Sequence, residues 1–173
     1  EAHFQAAWAL QRAPVDAQDA RQANARRALA MFQEFVEANP GHPKQARARC
    51  LMGVLQYELG AYEKAIEQLR TPARQAEDPE AVLPILRTLA RSYAKLGAYE
   101  QAESTYLQAA VLPHNYTADI DYYELGAMYK DRAEAAEDPE TRQAFQRKTA
   151  TFWRRAIENP TIDPAVRETI RKQ

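Results

Sequence analysis

Leu59-Gly60-Ala61-Tyr62-Glu63-Lys64-Ala65 returns as Leu96-Gly97-Ala98-Tyr99-Glu100-Gln101-Ala102, 37 residues further along the chain. A phrase repeated at a spacing of this kind marks a chain built from repeats. Its chemistry is a helix stop followed at once by a helix start. Glycine enters the left-handed conformation that ends a helix without a Cβ penalty. The tyrosine two residues later can plug the corner. The small alanine three residues beyond it, Ala65 or Ala102, lets another helix come close. Each copy therefore predicts the elbow of an antiparallel helical hairpin.

Working outward from the elbows, the composition agrees with an all-α chain. The 173 residues are 46% hydrophobic and include only five glycines. Alanine, glutamine, glutamate, arginine and leucine dominate, and these are strong helix formers. The formal charge of −1 gives no global field to draw nucleic acid or a membrane surface, so electrostatic function must come from local patches. One cysteine, Cys50, excludes an intrachain disulfide framework and a cysteine-based zinc cluster. No apolar run approaches the roughly 18 residues of a membrane span. The chain opens at Glu1 rather than at a methionine, so a signal or anchor segment can precede it in a longer protein.

Nine helices are expected in order. Residues 1–12 carry Phe4, Ala7, Trp8 and Leu10, and Pro14 and Asp16 interrupt them. Residues 17–38 place Ala28, Met31, Phe32, Phe35 and Val36 at three- and four-residue spacings, the period of one helix face. Asn39-Pro40-Gly41-His42-Pro43 is a firm stop. Residues 44–59 lead into the first elbow, and Pro72 should kink or end the helix that leaves it. Asp78-Pro79-Glu80 supplies an N-cap oxygen, a proline at the first helical position and an acid near the positive end. Pro84 then predicts a loose first turn, with regular helix only from that point. A partner helix runs over 99–112 and another begins near Ala118. Asp138-Pro139-Glu140 repeats the start signal, and Asp163-Pro164 opens a short final helix that would cap the stack.

Set out residue by residue, the repeat resembles the tetratricopeptide family. That pattern places an aromatic, two residues, Leu-Gly, two residues and Tyr in a first helix, then Ala, three residues, Phe and a later proline. Tyr122-x2-Leu125-Gly126-x2-Tyr129 matches the first half fully. Leu86-x2-Leu89-Ala90-x2-Tyr93 matches it with alanine for glycine. Arg49-x2-Met52-Gly53-x2-Gln56 keeps only the small residue. Second halves end at Tyr106 (Ala102-x3-Tyr106), Leu69 (Ala65-x3-Leu69), Phe32 (Ala28-x3-Phe32) and Trp153 (Thr149-x3-Trp153). The resemblance implies a single α-solenoid domain over 1–173, made of antiparallel helical hairpins. It comprises about three such repeats, an N-terminal hairpin and a C-terminal capping helix. Approximate units are 1–41, 42–78, 79–114 and 115–160, with the cap at 161–173. Gly53, Ala90 and Gly126 are then the places where helices cross closely. The third hairpin is too long for the pattern, so it holds an insertion or two longer helices meeting within 133–139.

The run from Phe32 to Pro43, followed by Ala46-Arg47-Ala48-Arg49, is similar to bacterial cell-envelope members of the family. These are outer-membrane assembly lipoproteins and Tol–Pal-associated coordinator proteins, which act as interaction scaffolds in the periplasm. The resemblance implies a periplasmic or envelope location, with a cytoplasmic one as the alternative. It also implies a non-enzymatic scaffold that holds a partner peptide or helix in a concave groove, probing for protein rather than nucleic acid. The alternative is a docking or regulatory domain of a larger protein with an appended enzyme or membrane segment.

In the family the first helix of each hairpin lines that groove. Leu86, Leu89, Ala90 and Tyr93 share one face of their helix, and Arg87, Arg91 and Lys95 share another. By this analogy Arg87, Arg91 and Lys95 face the groove, joined by Arg47 and Tyr57 on one side and Tyr123 and Lys130 on the other. Such a surface suits a peptide bearing Asp, Glu or a C-terminal carboxylate, because arginine bonds carboxylates in bidentate fashion. The ordinary alternative for a charged stripe is a solvated helix face. The chaperone-binding subgroup uses Lys and Asn where this chain has Arg, which argues against a chaperone tail.

No P-loop, dinucleotide fingerprint or G-x-S-x-G is present, and no cofactor or metal is expected. His3, His42 and His114 lie far apart, and Cys50 reads as a small semi-buried side chain rather than a nucleophile. Trp8 and Trp153 read as packing residues. Phe4 and Trp8, on an irregular N-terminal hairpin, are expected to leave an apolar end open to self-association, which would give a homo-oligomer.

Overall fold

The computed structural model describes residues 2–12, 18–75, 79–113, 115–160, 162 and 164–172. Pro14, Asp16, Asp78, His114 and Asp163 lie outside the described residues, and so do the helix-start roles expected of Asp78 and Asp163. The described residues form nine helices and no strand. They are α1 (Ala2–Arg12), α2 (Gln18–Ala38), α3 (Gln45–Glu58), α4 (Tyr62–Gln75), α5 (Pro79–Lys95), α6 (Tyr99–Ala110), α7 (Ala118–Ala135), α8 (Pro139–Glu158) and α9 (Pro164–Arg171). The chain divides into two compact units, Glu1–Ala98 and Tyr99–Gln173.

Both elbows close in the same way. Gly60 and Gly97 take φ of 77° and 74°, the left-handed region that only glycine enters freely. The Gly60 N–H donates to the Tyr57 carbonyl at 2.9 Å and the Ala61 N–H to the Gln56 carbonyl at 2.8 Å. The Gly97 N–H donates to Ala94 at 3.1 Å and the Ala98 N–H to Tyr93 at 2.9 Å. These two crossed bonds are the Schellman motif, which satisfies carbonyls that a helix end leaves open. Tyr62 does close the first corner, its ring centroid 5.6 Å from that of Tyr57. Ala65 and Ala102 are fully buried.

In the first unit each helix packs on its chain neighbours, and α3 also touches α5. One core of this unit joins Phe4 and Ala7 of α1, Ala28, Phe32 and Phe35 of α2, and Ala48, Met52 and Leu55 of α3. The apolar end expected at Phe4 and Trp8 is closed instead. Phe4 is 1% exposed, with Phe32 and Phe35 at centroid distances of 5.5 and 5.4 Å, and Trp8 is half-buried. The proline stop after α2 holds as read. Asn39 turns its amide back to the Phe35 carbonyl at 2.8 Å, and Gly41 takes φ of 79°.

α5 is helical from Pro79, with no loose first turn before Pro84, which corrects the reading of that proline, and α4 does not end at Pro72. Pro72 lies inside α4 and Pro84 inside α5, and both helices run on. Each proline removes one backbone donor, but buried side chains on both sides keep the helix in register. Leu69 and Ala73 do so around Pro72, and Val82, Ile85 and Leu86 around Pro84. The Pro84 carbonyl remains in use, accepting the Thr88 hydroxyl at 2.9 Å.

In the second unit α6 packs on α7, α7 on α8 and α8 on α9. The long third hairpin is two longer helices: α7 and α8 have 18 and 20 residues, where α3 and α4 have 14 each. Asp138 caps α8 as read, accepting the Thr141 N–H at 2.7 Å. One contact recurs in both units. A Cβ on Gly53 would stand 2.5 Å from Leu69 Cγ, and a Cβ on Gly126 would run into the Trp153 indole. In each case the small residue of a first half faces the large residue that ends a second half. The same register is therefore used twice.

Candidate functional site

Arg47, Tyr57, Arg87, Arg91 and Lys95 belong to the first unit, and Tyr123 and Lys130 to the second. On α5, Arg87 and Arg91 are half-buried and Lys95 is exposed. They cover about 12 Å of helix at the usual rise. Arg47 and Tyr57 stand at opposite ends of α3, roughly 15 Å apart along its axis. Tyr57 is half-buried against Tyr62. Arg47 is exposed, and its guanidinium lies 4.0 Å from the centre of the Trp8 ring. That stacking is worth on the order of 0.5–1 kcal/mol at an exposed site.

Arg47 also stands at the wall of a cleft that the sequence did not announce. The cleft holds about 790 Å³ and is bounded by α3, α4 and α5. Leu51 and Val54 come from α3, Thr71 and Pro72 from α4, and Pro84 and Ile85 from α5. Arg49 and Cys50 stand beside Arg47, with Glu67 on the α4 wall. Burial pushes the Cys50 thiol above its ordinary value, so the side chain is a thiol at neutral pH and a poor nucleophile. Pro84, Arg87, Arg91 and Lys95 follow at spacings of three, four and four, so the α5 wall of the cleft continues into the basic stripe.

The second unit places its two residues differently. Tyr123 stacks on Trp153 at 6.4 Å and 16°, and the Trp153 indole N–H donates to the Tyr123 carbonyl at 3.2 Å. One face of Tyr123 is thus committed to the α7–α8 seam. Lys130 pairs with Glu134 at 3.8 Å and lines a smaller hollow of about 460 Å³ with Arg142 and Trp153.

A polar cluster of this unit joins α6, α7 and α8. The Tyr129 hydroxyl donates to Glu103 at 2.6 Å and accepts from Lys148 at 2.8 Å. Lys148 also reaches Glu103 at 3.0 Å, and Arg132 lies over Tyr99 and Phe145 at 4.3 and 4.0 Å. Burial and the Glu103 carboxylate push the Tyr129 phenol above its ordinary value, so it is a neutral donor and not a phenolate. Each member has its partner, and the cluster ties three helices together.

His3 faces Glu34 at 3.4 Å, and His42 accepts the Lys44 N–H at 3.0 Å. Among the described residues no group of histidine, cysteine and carboxylate side chains could hold a metal ion. Nor is any of their helices long and apolar enough to cross a membrane. No protein-family model matches the chain, and no curated protein matches it either.

Proposed function

We propose that the chain is a tetratricopeptide-type module that binds another protein and has no catalytic activity of its own. The observation that carries this reading is the basic stripe Arg87, Arg91 and Lys95 on α5, a helix that packs on both α4 and α3. First helices that touch across an intervening second helix are how stacked repeats build one shared binding face. The recurrence of the Gly53–Leu69 contact as Gly126–Trp153 supports the repeat reading. The partner segment is acidic, since arginine forks pair with carboxylates in charge-assisted bonds. We place the module in assembly of an envelope complex, on the resemblance of residues 32–49 to envelope scaffolds.

Selection of a displayed random peptide library on the purified chain tests this reading. The expected binders are enriched in Asp and Glu and bind more weakly as salt screens the charges. Arg87→Glu/Arg91→Glu should lose them by at least about tenfold while keeping the helical circular dichroism signal, with Arg87→Gln/Arg91→Gln as the milder second variant. Binders without acidic residues, or equal binding by both variants, would overturn the assignment.

A further inference from the structure

The cleft among α3, α4 and α5 carries chemistry that the basic stripe does not use. Its volume of about 790 Å³ falls within the roughly 300–1,000 Å³ of small-molecule sites. The walls are mainly apolar, from Leu51, Val54, Pro72, Pro84 and Ile85. Arg47 and Arg49 add two positive charges on the α3 wall, and among the described residues neither forms an ion pair. The Arg47 guanidinium lies over the Trp8 ring at 4.0 Å, and an arginine held in this way keeps N–H donors that can bond an anion. Both arginines stand in the first two turns of α3.

A wholly polar ligand would leave the apolar walls wet, and a wholly apolar one would take water from two cations without replacing it. An amphiphile satisfies both. We propose that this cleft binds a small amphiphilic anion: an apolar chain or ring system of small-molecule size that ends in one carboxylate. The body packs on Val54, Pro72 and Ile85, and the head meets Arg47 and Arg49. Glu67, on the α4 wall, disfavours a second negative charge and so selects a monoanion. This site shares Arg47 with the groove expected from sequence, but Arg87 and Arg91, on which the peptide test turns, do not line it, so either can fail without the other.

Cys50, the single cysteine of the chain, lines the same cleft and reports its occupancy. The test uses the whole chain with anilinonaphthalene sulfonate, an apolar ring system with one anionic group, as the first probe. Its fluorescence should rise to saturation at one site, and its binding should slow alkylation of Cys50 by N-ethylmaleimide. Dodecanoate should displace it, whereas dodecyltrimethylammonium, with the same chain and a cationic head, should not. Arg47→Gln/Arg49→Gln should weaken dodecanoate about tenfold or more, as loss of charge-assisted bonds requires.

Cys50 alkylation unaffected by either anion would overturn the proposal. Equal displacement by the cationic amphiphile, or dodecanoate affinity unchanged in the folded double variant, would do so too. Displacement by an acidic apolar peptide with dodecanoate inert would assign the cleft to a protein ligand and also overturn it. Both arginines are exposed, and if the double variant fails to fold, the two wild-type arms decide alone.

Discussion

Asp138 accepts the Thr141 hydroxyl at 2.6 Å and the Thr141 backbone N–H at 2.7 Å, and those two bonds hold its carboxyl below its ordinary value of 3.8. The charged form is the one being bonded, so the bonds stabilise the folded chain wherever Asp138 is ionised. The contribution is fully present above the unfolded value and disappears as the pH falls through the lower folded one. Acidification from pH 5 should therefore loosen the first turn of α8 only below about pH 4, in line with an aspartate's ordinary range. Amide hydrogen exchange at Thr141 and Arg142 is the measurement. Asp138→Ala should exchange quickly at every pH, and a variant whose exchange follows the wild-type pH profile would show that the cap is idle. The reading of Asp138 from sequence was secure because a cap needs only neighbours within three residues. Arg47 shows the opposite case: its charge was visible, but Trp8, the ring it stacks on, is 39 residues away in the chain.

Among the elements, α3 and α4 with their elbow were the most legible, because helix ends are written in local chemistry. A Cβ on Gly60 would meet nothing within 4 Å, so Gly60→Ala is penalised by its backbone conformation alone. The cost should be about 1–2 kcal/mol, the penalty for an L-residue in the left-handed region. That is about 2–8 °C of melting temperature for a chain of this size. A thermal melt checks it, and an unchanged midpoint would mean that the elbow relaxes to another turn. Pro84 misled, and α4 runs on past Pro72, because the rule that proline breaks helices weighs one lost hydrogen bond, whereas burial of Leu69, Ala73, Ile85 and Leu86 keeps the helices going. Those same prolines line the cleft, so reading them as interruptions hid the site. Tyr123 is placed in the groove by analogy with the family's first helices. The analogy does not show that one face of its ring stacks on Trp153, 30 residues further along the chain.

At the level of the whole chain, every helix packs on its sequence neighbours within its own unit, so the stability of each unit is close to a sum of local and nearest-neighbour terms. The Gly126 seam gives a way to measure how far that locality extends. Trp153 is pinned there by its hydrogen bond to Tyr123 and by stacking on the same residue, so it cannot swing aside for a new methyl group. Gly126→Ala should cost about 1–3 kcal/mol through overpacking. Only two tryptophans are present, Trp8 and Trp153, so Trp8→Phe leaves fluorescence as a reporter of the α7–α8 seam. Circular dichroism reports all the helices together. In the Trp8→Phe/Gly126→Ala chain the fluorescence midpoint should fall by about 2–4 °C per kcal/mol of that cost. The dichroism curve should shift less and broaden, since helices α1 to α5 lose no contact of their own. Coincident curves would mean that both units unfold as one cooperative body, and the nearest-neighbour account would then be wrong for this chain. Separate curves would mean that a ligand in the α3–α5 cleft raises one transition and leaves the Trp153 transition where it was, because binding stabilises only what unfolds with its site.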